Sequence, residues 1–386
     1  MKILVVFIDM VRVDHLNQYN PKAKKTLLDG VLENLGGTLY TKCYTHSPDT
    51  PRSLACLQTG LMPFFNGCDT RIKWPAFFIK EDVSTIWDHA SSLGYHVNLC
   101  CNENEIKTGF FKFQDKNIAL YNNIEDFMYK ADFSENSLSF IGIPDWHTAI
   151  GDYKETNYAF HKGDEIVNEY FKKYLTSTFI GQFDYTIIFS DHGFQFKNEM
   201  NWMKSRLELI GDGRTKLLTF VHAKGDSRVT HDARLASITD IYATLENLLG
   251  LKDYRHGYSL LEEPKRDILH IEDHKDFKVY PEVMIKQWRV VTNQYDIRTD
   301  VYVTVDEHGN DANLNMIDTY LRTVSPKYSE YIKQIEIWKN YASIGKDSRN
   351  LYFIGLPRLS HFSHTILTIF QNVKAGIIRK FLVKII

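Results

Sequence analysis

The stretch ILVVFIDM (residues 3–10) places six apolar residues directly before an aspartate. The run is too short for the core of a signal peptide and is typical of a buried strand. Four similar short runs follow along the chain: HVNLC (96–100), SLSFIGI (137–143), DYTIIFS (184–190) and LLTFVHA (217–223). Helical patterns separate these runs, so the sequence predicts an α/β fold with a mostly parallel central sheet and helices on both faces.

Composition limits the class of protein. The chain has 386 residues, of which 44% are hydrophobic, so it can bury a large core and should form one large domain with a smaller addition. A formal net charge of -2 and a pI of about 6.7 argue against nucleic acid as a partner. The five cysteines form no Cys-x-x-Cys pair, which argues against a disulfide framework and favours a reducing, cytoplasmic location.

The pattern changes near residue 265 and divides the chain into three predicted parts. Residues 1–265 form the main α/β domain, in which DVSTIWDHASSLGY (82–95) and LASITDIYATLENLLGL (235–251) have helical spacing. Residues 266–345 carry successive strand-like runs and are predicted to form a small α+β subdomain with an antiparallel sheet. Residues 346–386 form a basic tail.

The end of this tail is amphipathic. Its apolar side chains recur at helical spacing, and no acid balances its basic residues Lys374, Arg379, Lys380 and Lys384. A basic amphipathic helix of this kind can lie in an anionic membrane surface, so we expect peripheral contact with the inner membrane face through residues 360–386. A terminal helix packed on its own domain explains the same pattern, and the segment is too interrupted to span a bilayer.

Polar side chains follow three of the predicted strands at their carboxyl ends, where open α/β sheets bind ligands. They are Asp9 after the first run, Asp145 and His147 after the third, and Asp191 and His192 after the fourth, where Gly193 comes next and supplies a permissive backbone. Each of them alone could simply make a turn or cap a helix. Gathered at one edge, the carboxylates would repel each other unless a divalent cation lies among them, and this mixture of oxygen and nitrogen ligands favours Zn²⁺ or Mn²⁺.

Thr50 lies in SPDTPRSLACLQTG (47–60), where Pro51 and the residues after it have the character of a helix start. Two explanations of this threonine remain open. Thr50 could be the N-cap, with its hydroxyl bonded to a backbone N–H of the helix. A helix N-terminus also attracts anions, and there a metal-activated hydroxyl could attack a phosphorus or sulfur centre.

Four segments resemble, in order and spacing, the signature segments of the sulfatase-like branch of the alkaline phosphatase superfamily. They are ILVVFIDMVRVDHL (3–16), CYTHSPDTPRSLACLQTGLMPFFNG (43–67), TIIFSDHG (186–193) and LASITDIYATLENLLGL (235–251). KQWRVVTNQYDIRTD (286–300) and VYVTVDEHGNDANL (301–314) are similar to the small C-terminal sheet of that family. The resemblance covers roughly residues 1–310.

The resemblance implies a metal-bound nucleophile on the helix after the second strand, nine positions before Thr59, which is Thr50. It further implies that Asp9, Asp191 and His192 hold the metal together with Thr50. The segment PDWH (144–147) corresponds to a family segment whose histidine contacts the anion or a second metal, which assigns His147.

The chain also departs from the pattern of true sulfatases. They carry Cys or Ser at the nucleophile, matured to formylglycine within Cys-x-Pro-x-Arg, whereas this chain has Thr50 with Pro51 and Arg52 displaced by one position. Met10 replaces the second of two adjacent aspartates, and CCNENE (100–105) replaces a Gly-Lys-x-His segment. Since threonine cannot become formylglycine, the resemblance favours the phosphoryl-transferring relatives.

The remaining candidates are less constrained. A second metal could use Asp145, His147, His231 or His256, and His256 lies in YRHGYSLL (254–261), which resembles a segment of two-metal relatives. Arg52, Arg214 and Lys216 could hold the oxygens of a transferring group or could be solvated surface charges. We expect Cys56, Cys100 and Cys101 to be structural.

The sequence therefore predicts a metal-dependent hydrolase or transferase with a covalent Thr50 intermediate and one or two ions, Zn²⁺ or Mn²⁺. Asp9, Thr50, Asp191, His192 and His256 are its predicted ligands, and Thr50, His147 and Arg52 its catalytic residues. The expected substrate is a phosphate-type ester of a small molecule or lipid-linked glycan, with a place in surface-polysaccharide assembly. The alternatives are a sulfatase with an unmodified nucleophile and a non-catalytic, membrane-associated scaffold.

Overall fold

The computed structural model describes residues 1–68, 79–101, 111–115, 117–133, 135–143, 146–147, 149, 156–194, 210–263, 266–277, 280–292 and 296–304. These residues form two units, one within residues 1–266 and the other containing the strands after residue 267. Residues 346–386, with the predicted basic tail, and Asp145 lie outside the described residues.

Eight strands of the first unit form a single sheet. They are β1 (Lys2–Ile8), β2 (Gly37–Tyr44), β3 (His96–Cys100), β4 (Ala119–Tyr121), β5 (Ser137–Ile143), β6 (Tyr185–Phe189), β7 (Thr219–Ala223) and β8 (Val229–Ser237), in the order β4-β3-β5-β1-β6-β7-β2-β8. Strand β7 pairs antiparallel with both of its neighbours, and the other pairs are parallel. The predicted α/β fold class is confirmed.

The helices of this unit include a long one before β6 and several short ones. Their bounds are α1 (Leu27–Leu35), α2 (Thr50–Thr59), α3 (Pro63–Asn66), α4 (Ile86–Ser92), α5 (Ile124–Lys130), α6 (Thr156–Lys173), α7 (Ser177–Ile180), α8 (Asp212–Thr215) and α9 (Ile238–Leu248), with a 3₁₀ turn at Val13–His15. Within the described residues, no helix combines the length and the apolar character needed to cross a bilayer.

Strand β1 is buried in the middle of the sheet, between β5 and β6. The ring of Phe7 stacks on those of Phe140 and Phe189 from the flanking strands, with ring centres 6.2 and 5.4 Å apart. These rings form an apolar cluster at the end of β1, two residues before Asp9. Because β5, β1 and β6 are parallel, the residues that follow them meet at one edge of the sheet.

Two details differ from the sequence prediction. Strand β2 was not among the predicted runs, because the apolar residues of GTLYTKCY come in pairs separated by polar residues and give neither a continuous apolar run nor a strict alternation. The predicted helical segment 235–251 begins as the end of β8, and helix α9 starts only at Ile238, where the Ser237 side chain and Asp240 form a capping box.

The second unit contains a three-stranded antiparallel sheet. Its strands are β9 (Ile268–Phe277), β10 (Tyr280–Thr292) and β11 (Asp296–Thr304), in the order β11-β10-β9. The strand-like runs of the predicted C-terminal subdomain thus form a sheet. The predicted boundary of that subdomain at residue 345 lies outside the described residues.

Candidate metal centre

Asp9 leaves the central strand at the carboxyl edge of the sheet and is only 5% exposed. Its N–H donates to the Ile143 carbonyl of β5 at 3.2 Å, which continues the sheet pairing by one residue. The next residue, Met10, has a φ of 62°, an unusual value for a residue with a side chain. This turn lets the Met10 N–H donate to Oδ1 of Asp191 at 3.3 Å, so the backbone after β1 helps to orient the second carboxylate.

Asp191 and His192 follow strand β6 and are both buried. Asp191 Oδ1 also accepts the N–H of His192 at 2.8 Å, which leaves Oδ2 directed elsewhere. The Nδ1 atom of His192 lies 2.7 Å from the Gly193 carbonyl, to which it must donate. In the neutral ring, Nε2 therefore carries the lone pair, as is common for a histidine that ligates a metal.

Thr50 is the first residue of helix α2, and Asp49 is the N-cap, because the Asp49 side chain accepts the N–H of Arg52 at 3.1 Å. The explanation of Thr50 as the N-cap is therefore wrong. Its hydroxyl does not cap the helix and instead lies 3.2 Å from Nε2 of His192. The neighbouring Asp49 does the capping, which leaves Thr50 at the helix N-terminus, where anions are stabilised.

The three ligand atoms of Asp9, Asp191 and His192 all lie within 4.8 Å of one another. The His192 Nε2 atom is 3.3 Å from Asp191 Oδ2 and 3.9 Å from Asp9 Oδ1. Within the described part of the chain, these two carboxylate oxygens are buried and have no hydrogen-bond partner. Two unsatisfied buried carboxylate oxygens beside an imidazole lone pair fit a divalent cation, which would supply the missing positive charge.

The pKa shifts of Asp191 and His192 also favour a divalent cation at this cluster. Burial, and then the charge of Asp9, raise the pKa of Asp191 well above its usual value. Burial lowers the pKa of His192, which keeps the ring neutral and able to ligate. The fold thus holds the two carboxylates close together, which costs free energy that a bound cation would offset.

His147 lies beside this cluster, with Nδ1 3.1 Å from Asp9 Oδ2 and a side chain that is 59% exposed. The hydrogen bond to Asp9 raises the pKa of His147. The structure thus brings His147 to the candidate centre, on its solvent side.

The predicted basic residues are placed differently from one another. Arg52 is completely buried and forms an ion pair with Asp49 at the start of α2, and its catalytic role stays a prediction. Arg214 donates to the Pro48 carbonyl at 3.0 Å, two residues before Thr50, and its charge contributes to the low pKa of His192. Lys216 forms a backbone bridge with Tyr44 at the end of β2.

The remaining predicted histidines lie away from the cluster. His256 is at the carboxyl end of α2, where its Nδ1 accepts the N–H of Met62 at 3.1 Å. A helix of ten residues is about 15 Å long, so His256 is too far from Thr50 to share a metal with it. His231 is exposed and pairs with Leu39 near the start of β2, away from the carboxyl edge. Both predictions fail because sequence spacing alone does not fix long-range distances.

Arg12 and Ser53 support the site and were not predicted, and Gly193 was predicted only as a permissive backbone position. Arg12 is buried and donates to the Phe194 carbonyl at 2.5 Å and to Asp14 at 2.8 Å, which ties the loop after β6 to the turn after β1. The Ser53 hydroxyl donates to the Asp191 carbonyl at 2.6 Å and so joins α2 to the same loop. At Gly193, an added Cβ would lie 2.1 Å from the Gly213 carbonyl, so only glycine fits there. The sequence around Arg12 and Ser53 has no pattern that predicts these contacts.

All five cysteines, among them Cys56, Cys100 and Cys101, are buried, and none of them forms a disulfide. This agrees with the expected structural role.

Comparison with solved structures identifies the fold. A 2-O GAG sulfatase matches with a TM-score of 0.62 at 15% identity, over 91% of this chain and 95% of that one. A phosphonate monoester hydrolase of Agrobacterium radiobacter matches with a TM-score of 0.55 at 12% identity, over 88% and 96% of the two chains. A protein in the alkaline phosphatase superfamily from Vibrio parahaemolyticus matches with a TM-score of 0.50 at 16% identity, over 88% of each chain.

The chain has the fold of the sulfatases and of the alkaline phosphatase superfamily. The predicted resemblance is thus confirmed for the fold, at identities that leave the chemistry to the residues of the site. No protein-family model matches the chain, and no curated protein is found to match it.

Proposed function

We propose that this protein is a metal-dependent hydrolase of phosphate-type esters, with Thr50 as the nucleophile. One observation carries the proposal: the Thr50 hydroxyl lies 3.2 Å from His192 at a buried pair of carboxylates, Asp9 and Asp191, whose oxygens facing His192 have no other partner within the described residues. The sulfatase and phosphonate monoester hydrolase among the structural neighbours act on ester groups of related shape and charge.

Asp9, Asp191, His192 and Thr50 are the proposed ligands. A divalent cation held by them would supply positive charge that lowers the pKa of the Thr50 hydroxyl and stabilises the anionic ester group. Zn²⁺ and Mn²⁺ suit this set of oxygen and nitrogen donors best. A second ion with Asp145 as a ligand stays a prediction, and the metal content of the purified protein tests it.

In the proposed reaction, Thr50 Oγ loses its proton to solvent and attacks the phosphorus atom. The Oγ–P bond forms while the P–O bond to the leaving group breaks in line. His147, oriented by Asp9 and close to solvent, donates a proton to the leaving oxygen. Water then attacks the phosphoryl group on Thr50 and gives a proton to His147, or an acceptor hydroxyl does so in a transferase. The Oγ–P bond breaks, and Thr50 Oγ takes a proton back from solvent. The positive helix end and Arg214 stabilise the developing charge.

Sulfate esters are the second candidate, because one neighbour is a 2-O GAG sulfatase. Thr50 has no thiol or primary alcohol that could become an aldehyde, so sulfate hydrolysis would have to use the unmodified hydroxyl. For this reason we place phosphate-type esters first. The non-catalytic scaffold is less favoured, because it gives no reason for the two buried carboxylate oxygens, Asp9 Oδ1 and Asp191 Oδ2, that lack a partner within the described residues.

The test is a comparison of aryl phosphate, phosphodiester, phosphonate monoester and aryl sulfate as substrates, with Zn²⁺ or Mn²⁺ added to metal-free protein. Thr50→Ala is expected to lower kcat/KM by about a thousandfold, because the nucleophile is lost, while Asp9, Asp191 and His192 still bind metal, more weakly than in the wild type. Thr50→Ser, which keeps the hydroxyl, is the matched control and should retain most activity. Turnover of sulfate alone, or full activity of Thr50→Ala, would reject the proposal.

We further propose a lipid-linked glycan phosphate ester as the substrate and the inner membrane face as the place of work, supported by the basic pattern of residues 360–386 alone. Deletion of these residues should abolish sedimentation with anionic vesicles and leave turnover of a soluble aryl phosphate unchanged. Unchanged sedimentation would remove the membrane part of the proposal without affecting the chemistry at Thr50.

A further inference from the structure

A second group of hydrogen-bonded polar side chains lies near the carboxyl end of α2, away from Thr50. The Ser84 hydroxyl is 2.8 Å from Nε2 of His89, and Nδ1 of His89 is 2.5 Å from Oε1 of Glu246. Ser84 precedes helix α4, His89 lies one turn into it, and Glu246 comes from helix α9. A hydroxyl, an imidazole and a carboxylate in this order are the parts of a nucleophile, its general base and the group that orients the base.

The direction of each hydrogen bond follows from a neighbouring arginine. Arg255 Nη2 donates to the Ser84 hydroxyl at 2.9 Å, and a guanidinium can only donate. The Glu246 carboxylate can only accept, so Nδ1 of a neutral His89 carries the proton and Nε2 carries the lone pair. The one proton of Ser84 therefore points at Nε2, which is the arrangement required for the base to remove it.

Exposure and strain distinguish these residues from an ordinary packing contact. Glu246 is completely buried, and within the described residues its Oε2 atom has no hydrogen-bond partner, while the His89 side chain is 20% exposed. The orienting carboxylate is thus inside the protein and the base is at its surface. Arg255 has a φ of 52°, a strained value for a residue with a side chain, and such strain is concentrated at functional sites.

The Arg255 guanidinium is also fixed in place. It donates to the Ser84 carbonyl at 3.0 Å and to the Thr59 carbonyl, and it lies over the Tyr242 ring at 5.2 Å. A cation held this close to Ser84 Oγ is placed to stabilise negative charge that develops on a neighbouring oxygen.

We propose that Ser84, His89 and Glu246 form a second nucleophilic site, which acts on small carboxylic esters without a metal. Ser84 Oγ attacks the carbonyl carbon and passes its proton to His89 Nε2, and Arg255 stabilises the negative oxygen. The C–O bond to the alcohol then breaks, and the alcohol takes the proton from His89. Water releases the acyl group by the reverse proton transfers, which restores the Ser84 hydroxyl.

The probe for this site is a small alkyl fluorophosphonate. Attack by Ser84 forms an O–P bond and expels fluoride, and the Ser84 proton passes through His89 to solvent. Metal-free protein in chelator should gain one adduct, which peptide mapping places on Ser84, and should hydrolyse p-nitrophenyl acetate. Ser84→Ala should lose both the adduct and the esterase activity, and Glu246→Gln should slow labelling at least about tenfold.

Two controls separate this site from other serines and from the metal centre. Ser91 lies on the same helix and donates to the Asp115 carboxylate at 2.6 Å, without an imidazole, so Ser91→Ala should label at the wild-type rate. Thr50→Ala should label normally, and Ser84→Ala should keep its metal-dependent phosphate ester turnover. An adduct on Ser84→Ala at the wild-type rate, or no adduct on folded wild-type protein with that turnover intact, overturns the second site and leaves the proposal for Thr50 standing.

Discussion

The two ends of helix α2 both carry buried charge, but they neutralise it differently. At the amino end, Asp9 and Asp191 each keep a buried oxygen that has no partner within the described residues. Near the carboxyl end, the buried Asp240 receives hydrogen bonds from the Arg266 side chain, from the Ser237 N–H at 2.9 Å and from the Tyr258 N–H at 2.9 Å.

This difference separates a structural carboxylate from one that is placed to bind a ligand. Arg266 supplies the opposite charge at the carboxyl end, so Asp240 is compensated by the fold itself and stabilises it. At the amino end, the described residues supply no such partner for the facing oxygens of Asp9 and Asp191. A bound cation would supply the opposite charge, which is why we infer one there.

The largest expected effects are changes in the free energy of unfolding, and they have opposite signs at the two ends of α2. In metal-free protein, Asp240→Asn leaves Arg266 buried without its charge partner and should lower the free energy of unfolding by about 3–5 kcal/mol. Asp191→Asn removes a repelling charge and places an N–H₂ donor beside Asp9, so it should raise the free energy of unfolding by about 1–3 kcal/mol. Urea denaturation in chelator measures both changes.

The same Asp191→Asn variant should bind metal at least about 100-fold more weakly, since it loses a direct ligand. Metal content after dialysis against Zn²⁺ or Mn²⁺ provides the measurement. If Asp191→Asn were less stable than wild type in chelator, or if it kept its metal, the contrast between the two ends of α2 would disappear.

Much of the amino end could be predicted from the sequence. Asp9, Asp191 and His192 directly follow apolar runs, and in a parallel sheet the ends of neighbouring strands meet, so local pattern was enough to bring them together. Thr50 was predicted as a ligand and nucleophile by the family resemblance of its segment, and the alternative explanation of Thr50 as the N-cap was wrong, because Asp49 is the N-cap. Short-range rules do not distinguish two adjacent residues that are both good caps.

The carboxyl end could not be predicted in this way. His256 was expected at the metal because its segment resembled a known one, but its position depends on how the turn after α9 packs against α2. Ser84 and His89 are five residues apart, but the contact between His89 and Glu246 joins parts of the chain that are 157 residues apart. No sequence pattern marks such a contact.

A second prediction concerns His256 and the pH dependence of stability. Burial, with help from Arg266 and Arg255, lowers the pKa of His256 to about 4. As the pH falls below about 6.5, His256 binds a proton in the unfolded chain but stays neutral in the folded protein. The free energy of unfolding therefore has its full value above that pH and decreases as the pH falls to about 4. At about 1.4 kcal/mol per pH unit, the loss is about 3 kcal/mol.

His256→Asn should remove this loss, because the Asn oxygen can still accept the Met62 N–H but cannot titrate. Urea denaturation at several values between pH 4.5 and 7 compares the slopes. His231→Asn, at an exposed histidine on β8, is the matched control and should keep the wild-type slope. An unchanged slope in His256→Asn would show that His256 is not held neutral at the carboxyl end of α2.

The smallest expected effects come from two glycines, one at each end of α2. An alanine Cβ at Gly60, which has a φ of 65°, would lie 2.3 Å from the Tyr242 ring, and one at Gly193 would lie 2.1 Å from the Gly213 carbonyl. Each Gly→Ala change should cost about 1–3 kcal/mol of stability, since packed neighbours must shift.

The two variants should differ in catalysis despite their similar cost. Gly193 accepts the Nδ1 proton of His192 through its carbonyl, so a shift there moves a proposed metal ligand and should weaken metal binding and lower kcat/KM about tenfold. Gly60→Ala acts at the far end of the helix and should leave kcat/KM unchanged for the folded protein. Equal losses of activity in both variants would mean that α2 transmits strain along its length, and the amino end could then no longer be treated as a separately built site.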